Sequence, residues 1–175
     1  MIITISGVPG SGKSTVATLV AKKLNFKHHS IGDLMRTLAA KKKMSLLELS
    51  EVAEKDKKVD EELDAAQVEL GKKEDNFVLD SRLGYHFIPH SFKVFLKVEP
   101  EEAARRIFCA KREEEKENIT MEDTIRNIKR RKESETLRYK KFYGLNPFDE
   151  SQYDLIVDTT RLTSKETAAK IIEKV

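Results

Sequence analysis

Ile2-Ile3-Thr4-Ile5-Ser6-Gly7-Val8-Pro9-Gly10-Ser11-Gly12-Lys13-Ser14-Thr15 is the stretch that decides the fold. The β-branched run Ile2 to Ile5 reads as a buried strand that stops at Gly7. Ser14 to Leu24 follows with Val16, Leu19, Val20 and Leu24 at helical spacing. Between strand and helix, Gly7 to Ser14 carries the P-loop pattern in its proper context. Glycines let successive backbone N–H groups close around phosphate oxygens, and the following helix adds the positive end of its dipole. Lys13 supplies a full charge to β- and γ-phosphates, and the Ser14 hydroxyl is placed to ligate Mg²⁺. Gly7, Pro9, Gly10, Ser11, Gly12, Lys13, Ser14 and Thr15 are therefore the expected binding set for a nucleoside triphosphate.

Outward from this stretch, strands and helices alternate. Lys27 to Ser30, Asn76 to Asp80, Lys93 to Val98 and Leu155 to Asp158 read as four more strands. Two or three helices fill Asp33 to Lys73, with Leu46, Leu49, Val52 and Ala53 as one apolar stripe. Glu101 to Lys116 and Thr120 to Phe142 are charged helices, and Thr163 to Val175 closes the chain, capped by Thr163 or Ser164 with Glu166 after it. Strands separated by helices pair in parallel through right-handed crossovers, so the expected architecture is α/β, a three-layer sandwich around a five-stranded parallel sheet. Ligands in such folds gather at the carboxyl ends of the strands.

The 175 residues favour one domain spanning 1–175. Lys and Arg total 33 against 30 Asp and Glu, a net charge of +3 that argues against a dedicated nucleic-acid binder. The single Cys109 excludes an internal disulfide and a multi-cysteine metal cluster, and its place beside Ile107 and Phe108 predicts a small buried hydrophobe. No apolar run approaches the ~18 residues of a spanning helix. Met1 leads straight into strand-like residues rather than a basic stretch and apolar core, so a cytoplasmic location is expected.

Transfer between two phosphorylated substrates needs positive charge beyond a P-loop, because two polyanions must approach each other. Arg36 lies one turn into the helix after the second strand, and Arg82 follows the third strand in Asp80-Ser81-Arg82. Arg105, Arg106 and Arg112 lie on the helix after the fourth strand. Arg131, Glu135 and Arg138 are separated by four and three residues, so they share one helix face. Asp80 ends its strand where a carboxylate can hold a metal-bound water opposite the cradle. Gln67, with Asp60 and Asp64 at helical spacing before it, is a candidate contact for an acceptor base.

The P-loop, Ser30-Ile31-Gly32-Asp33-Leu34-Met35-Arg36, Leu79-Asp80-Ser81-Arg82-Leu83 and Arg131 to Tyr139 occur in the order and spacing of the short, archaeal-type cytidylate kinases, and the resemblance continues to Tyr153-Asp154 and Thr159-Thr160. It implies the nucleoside monophosphate kinase fold with strand order 2-3-1-4-5, a helical NMP-binding segment at about 32–73 and a lid at about 108–124. ATP and Mg²⁺ would be the donor and its cofactor, CMP and dCMP the acceptors, and a monomer the expected state. Lys13, Arg82, Arg131 and Arg138 are the implied catalytic set. Gly32, Asp33, Arg36, Gln67, Arg82, Glu135 and Arg138 are implied on the acceptor, with Glu135 toward the ribose hydroxyls. Arg112 and Arg161 are implied on ATP, and Ser14 and Asp80 on the metal. Leu83 departs from the bacterial members, which carry an aspartate there, so AMP or UMP stays open as the acceptor. An adenylate-kinase-like ATPase docked to RNA is the alternative from another class, supported only by the basic stretch Lys129 to Lys141.

Overall fold

The computed structural model describes residues 1–110 and 118–175. Strands β1 (Ile2–Gly7), β2 (Lys27–Ser30), β3 (Phe77–Asp80), β4 (Phe92–Lys97) and β5 (Leu155–Asp158) form one sheet in the order β2-β3-β1-β4-β5. Every pairing is parallel, with Ile5 opposite Asp80 on one side and Val94 on the other. The expected architecture and strand order are both observed. β1 is buried along its whole length because it lies at the centre of the sheet with helices on both faces. Its two polar side chains are satisfied inside: the Thr4 and Ser91 hydroxyls share a hydrogen bond of 2.9 Å, and Ser6 Oγ donates to the Ser81 carbonyl at 2.7 Å.

Period-two alternation along the strands divides the core. Ile3, Ile5, Val78 and Leu96 point to the layer formed by α1 (Lys13–Leu24) and α8 (Ser164–Ile172), where Val16, Val20 and Ile171 are fully buried. Ile2, Phe77 and Leu79 point to the other layer and meet Ile88, after the short helix α5 (Gly84–Phe87), and Leu70 of α4 (Lys58–Lys73). Helices α2 (Ile31–Lys41) and α3 (Leu46–Lys55) join the start of α4 in a separate apolar cluster of Ala39, Leu49, Ala53 and Val59. Full burial of side chains of this size contributes about 1.5–3 kcal/mol each. Of the expected stripe, Leu46, Leu49 and Ala53 are buried on α3, and Val52 packs partly buried beside them.

Two long charged helices follow β4: α6 (Pro100–Ala110) and α7 (Met121–Tyr143). A capping box starts α7, with Thr120 Oγ1 accepting from the Asp123 N–H at 3.0 Å, and Gly144 in the left-handed region ends it. The expected cap on α8 is Thr163 paired with Glu166. No helix among the described residues is long and apolar enough to cross a membrane.

The structure corrects several expectations. Helix α2 starts at Ile31 directly off β2, with Ser30 serving as its N-cap. Cys109 is exposed rather than buried. Helix α6 buries Ala103 and Ala104, whereas Cys109 lies four residues beyond Arg105 on the outward face. Arg112, and with it much of the expected lid, lies outside the described residues.

Candidate active site

The carboxyl ends of β1, β2 and β3 open on one cavity of about 790 Å³. The loop after β1 forms one wall. Gly10 is held at φ 80°, and a Cβ there would stand 2.7 Å from the Ala103 carbonyl oxygen and 2.8 Å from its Cα, in the backbone of α6. Only glycine lets the loop rest that closely on the helix. Gly12, at φ 83°, faces open space and is needed for its left-handed backbone alone. It is the N-cap of α1, with no side chain capping the helix and no acidic residue in the first turn. α2, α3, α7 and α8 each receive a hydroxyl cap. The first N–H groups of α1 therefore remain available to an anion.

Lys13 is half-buried and its Nζ donates to the Val8 carbonyl at 3.3 Å. Burial, and then the Arg82 guanidinium nearby, hold its ammonium well below the ordinary lysine range. A bound polyphosphate would reverse that balance. At the next residue, Ser14 Oγ donates to Asp80 Oδ2, and Ser30 Oγ donates to the same oxygen at 3.3 Å. The strand order makes this contact, since β3 lies between β1 and β2. Among the described residues no group of three or more His, Cys, Asp or Glu could hold a metal ion. A hydroxyl and a carboxylate at the cradle nevertheless fit a hard divalent cation that takes its remaining ligands from water and phosphate.

Opposite the loop stands α7. Its expected face is observed: Arg131, Glu135 and Arg138 all line the cavity. Arg82 Nε donates to Glu135 Oε2 at 2.6 Å and its Nη1 to the Gly7 carbonyl at 2.9 Å. Arg131 Nε lies 3.4 Å from Glu135 Oε1. Burial pushes the Glu135 carboxyl up, but Arg82 and Arg131 outweigh it and hold the group well below the usual carboxylate range. Glu135 thus bridges two guanidiniums, where the resemblance implied a sugar contact. Arg138 is 3% exposed, stacks over the Tyr139 ring at 4.7 Å, and has its Nε 3.2 Å from Asp60 Oδ2.

Pro9, Gly10, Gly12, Lys13, Ser14, Thr15, Gly32, Arg36, Gln67, Asp80, Arg82 and Arg161 also line the cavity. Gly7 and Ser11 are buried and do not line it, and Asp33 stands outside, exposed and ion-paired with Arg36. Sequence reasoning passed over the Arg106 contacts, in which Nη2 donates to the Thr159 carbonyl at 2.8 Å and Nη1 to Thr159 Oγ1 at 3.1 Å. They tie α6 to the end of β5, and no local spacing signals a contact between residues so far apart. The Asp64 carboxylate accepts from the Tyr143 hydroxyl and so joins α4 to α7. Its i, i+4, i+7 spacing with Asp60 and Gln67 was the available signal.

A phosphate cradle on one wall and a set of guanidiniums on the other can bring two anions together while screening their repulsion. Comparison with known proteins agrees with that chemistry. The sequence model of the cytidylate kinase-like family matches residues 2–161. The chain is 36% identical over 172 residues to a cytidylate kinase of Methanobrevibacter smithii, covering 98% of this chain and 96% of that protein. It is 38% identical over 173 residues to an S-adenosylmethionine-dependent nucleotide dehydratase of Lacinutrix mariniflava, covering 98% of this chain and 35% of that longer protein. Among solved structures, a shikimate kinase from Bacteroides thetaiotaomicron superposes with a TM-score of 0.69 at 17% identity, over 99% of this chain and 97% of that one, a likeness of fold.

Proposed function

The chain belongs to the cytidylate kinase-like family, and from that premise we propose that it transfers the γ-phosphoryl group of ATP to CMP or dCMP. It is a nucleoside monophosphate kinase; the choice of acceptor and the roles of individual residues are the proposal. One observation supports it most: Lys13, Arg36 and Arg138 from three helices, and Arg82 from the loop after β3, face the same cavity.

In the proposed mechanism an oxygen of the acceptor phosphate attacks the γ-phosphorus in line. The new P–O bond forms as the bond to the β–γ bridging oxygen breaks, leaving ADP. No side-chain nucleophile takes part. The loop N–H groups and Lys13 hold the donor phosphates. Arg36 and Arg82 clamp the acceptor, and Arg131 and Arg138 face the transferring group from α7. Ser14 and Asp80 would hold Mg²⁺, which supplies charge neutralisation at the β- and γ-phosphates when bound. Arg161, which also lines the cavity, is assigned to the donor nucleoside.

ADP release measured with CMP, dCMP, UMP, AMP, GMP or no acceptor tests the assignment. CMP and dCMP should accelerate release at least about tenfold over every other condition. Release that ignores monophosphates and answers to RNA would replace the kinase with the ATPase alternative.

Glu135 contributes through the arginines it aligns. Glu135→Gln keeps the shape but removes the charge that holds Arg82 and Arg131, so kcat/KM should fall by about tenfold, the scale of one charge-assisted hydrogen bond. CMP and dCMP should lose by the same factor. A larger loss for CMP would return Glu135 to the ribose.

A further inference from the structure

The acceptor end of the cavity is walled by α3 and α4, and the polar groups there are nearly all spent within the protein. Ser50 Oγ donates to the Leu46 carbonyl at 2.8 Å. Gln67 Nε2 donates to the Leu63 carbonyl at 3.3 Å, and its Oε1 accepts from Ser81 Oγ at 2.5 Å. Asp64 accepts from Tyr143. Asp60 differs. It is 3% exposed and lines the cavity, and its Oδ2 has no hydrogen-bond partner. Arg138 Nε stands 3.2 Å away, yet that nitrogen also lacks an aligned hydrogen bond. The pair neutralises charge without satisfying the oxygen. A buried acceptor left this way costs free energy until a donor reaches it.

What that donor is follows from the surroundings. Leu46, Leu63 and Leu83 are each at most 5% exposed and line the same end of the cavity. Apolar side chains around one unsatisfied acceptor suit a flat heteroaromatic ring with an N–H on its edge better than a sugar, which is hydroxylated all round.

Resting on the kinase reading above, we infer that Asp60 is a specificity-determining residue whose carboxylate accepts a hydrogen bond from the exocyclic amine of cytosine. Uracil presents a carbonyl oxygen at that position. Two acceptors would then face each other at a buried oxygen, and the pocket would reject UMP. Burial of Asp60, set against Arg138 and reinforced by Asp64 and Glu135, lifts its carboxyl to about 6.

The test is the ratio of kcat/KM for CMP and UMP in the wild type and in Asp60→Asn. Asparagine has the same shape and carries both an acceptor and a donor, so it can meet either base. The CMP-to-UMP preference should fall at least about tenfold in the variant, while the CMP-to-dCMP ratio stays unchanged. Each ratio is taken within one preparation, so a partly unfolded sample does not distort it. A second measurement uses the unaltered enzyme with the monophosphate of 2-pyrimidinone riboside, a cytidine analogue lacking the amine. It should be phosphorylated at least about tenfold less efficiently than CMP. An unchanged CMP-to-UMP ratio in Asp60→Asn overturns the inference. So does a uniform loss on every acceptor, which would make Asp60 a positioning residue for Arg138, and so does a shifted CMP-to-dCMP ratio, which would place it on the sugar. A wild-type enzyme that prefers UMP or AMP overturns the acceptor assignment of the preceding section instead.

Discussion

Lys13→Ala lowers kcat by at least about 10²-fold, the cost of removing one preorganised electrostatic donor, and leaves the fold intact. Lys13 makes one weak contact of its own, to the Val8 carbonyl at 3.3 Å, so its loss removes little that holds the loop. Its ammonium is disfavoured in the free protein by burial and by Arg82. Phosphate oxygens favour it, and most strongly when charge builds on the transferring group, so the side chain acts on the transition state more than on the folded chain. The sign of the pH effect follows. ATP affinity falls as pH rises through the range in which free Lys13 loses its proton, and Lys13→Ala loses that dependence. Steady-state rates with ATP and CMP, together with a thermal melt, check both halves. Activity above a tenth of wild type would sink the role given to Lys13.

Arg82→Ala should be as damaging, for a different reason. Arg82 joins the end of β1 to α7 through Gly7 and Glu135. In the proposed mechanism its removal takes a bidentate group from the acceptor phosphate, and it leaves Glu135 with Arg131 as its nearest remaining counter-charge. We expect kcat/KM for CMP to fall at least about 10²-fold, with KM for ATP changed far less. Stability at neutral pH should drop by about 1.5–3 kcal/mol, the value of a hydrogen bond to a charged group. Because Glu135 is held below the ordinary carboxylate range, its contribution is present above the unfolded pKa and is lost as pH falls through the folded one. The gap between wild type and variant in urea titrations should therefore shrink below about pH 4. Arg82→Lys should recover only part of the activity, since an ammonium cannot hold the Glu135 and Gly7 oxygens in a planar fork. Arg36→Ala makes the contrast: its partner Asp33 is exposed, so KM for CMP should rise without the stability loss. A rise in KM for ATP with CMP spared would reverse the two sites.

Features set by local spacing are legible in the order of residues alone. Glycines at 7, 10 and 12 between a β-branched run and an amphipathic helix specify the cradle, and the intervals 131, 135, 138 specify one helix face. Contacts set by the sheet order are not. Ser14 meets Asp80 across 66 positions and Arg82 meets Glu135 across 53, so neither pairing leaves a periodic trace. Asp60 shows the same limit from another side. Its spacing puts it on one face with Asp64 and Gln67, but Lys57-Lys58-Val59-Asp60-Glu61 carries no sign of burial. Packing of α4 beneath α7 is what buries it against Arg138. Cys109 went the other way, because apolar neighbours at 107 and 108 say nothing about which side of α6 the next residue takes.

The central place of β1 has a consequence for how the chain acquires its shape during synthesis. β1 is made before either of its two neighbours, which begin at Phe77 and Phe92. The Val8 N–H waits for the Leu96 carbonyl at 3.2 Å, and Gly10 waits for the backbone at Ala103. A chain synthesised only as far as His90 would already contain every glycine of the loop and the helix after it, with no β4 for Val8 to bond and no α6 for Gly10 to rest on. Closing those long connections is entropically costly and kinetically slow. The loop, made before the strand and helix that hold it, is thus among the last parts to take up its working geometry, and a half-made chain carries the motif without the grip.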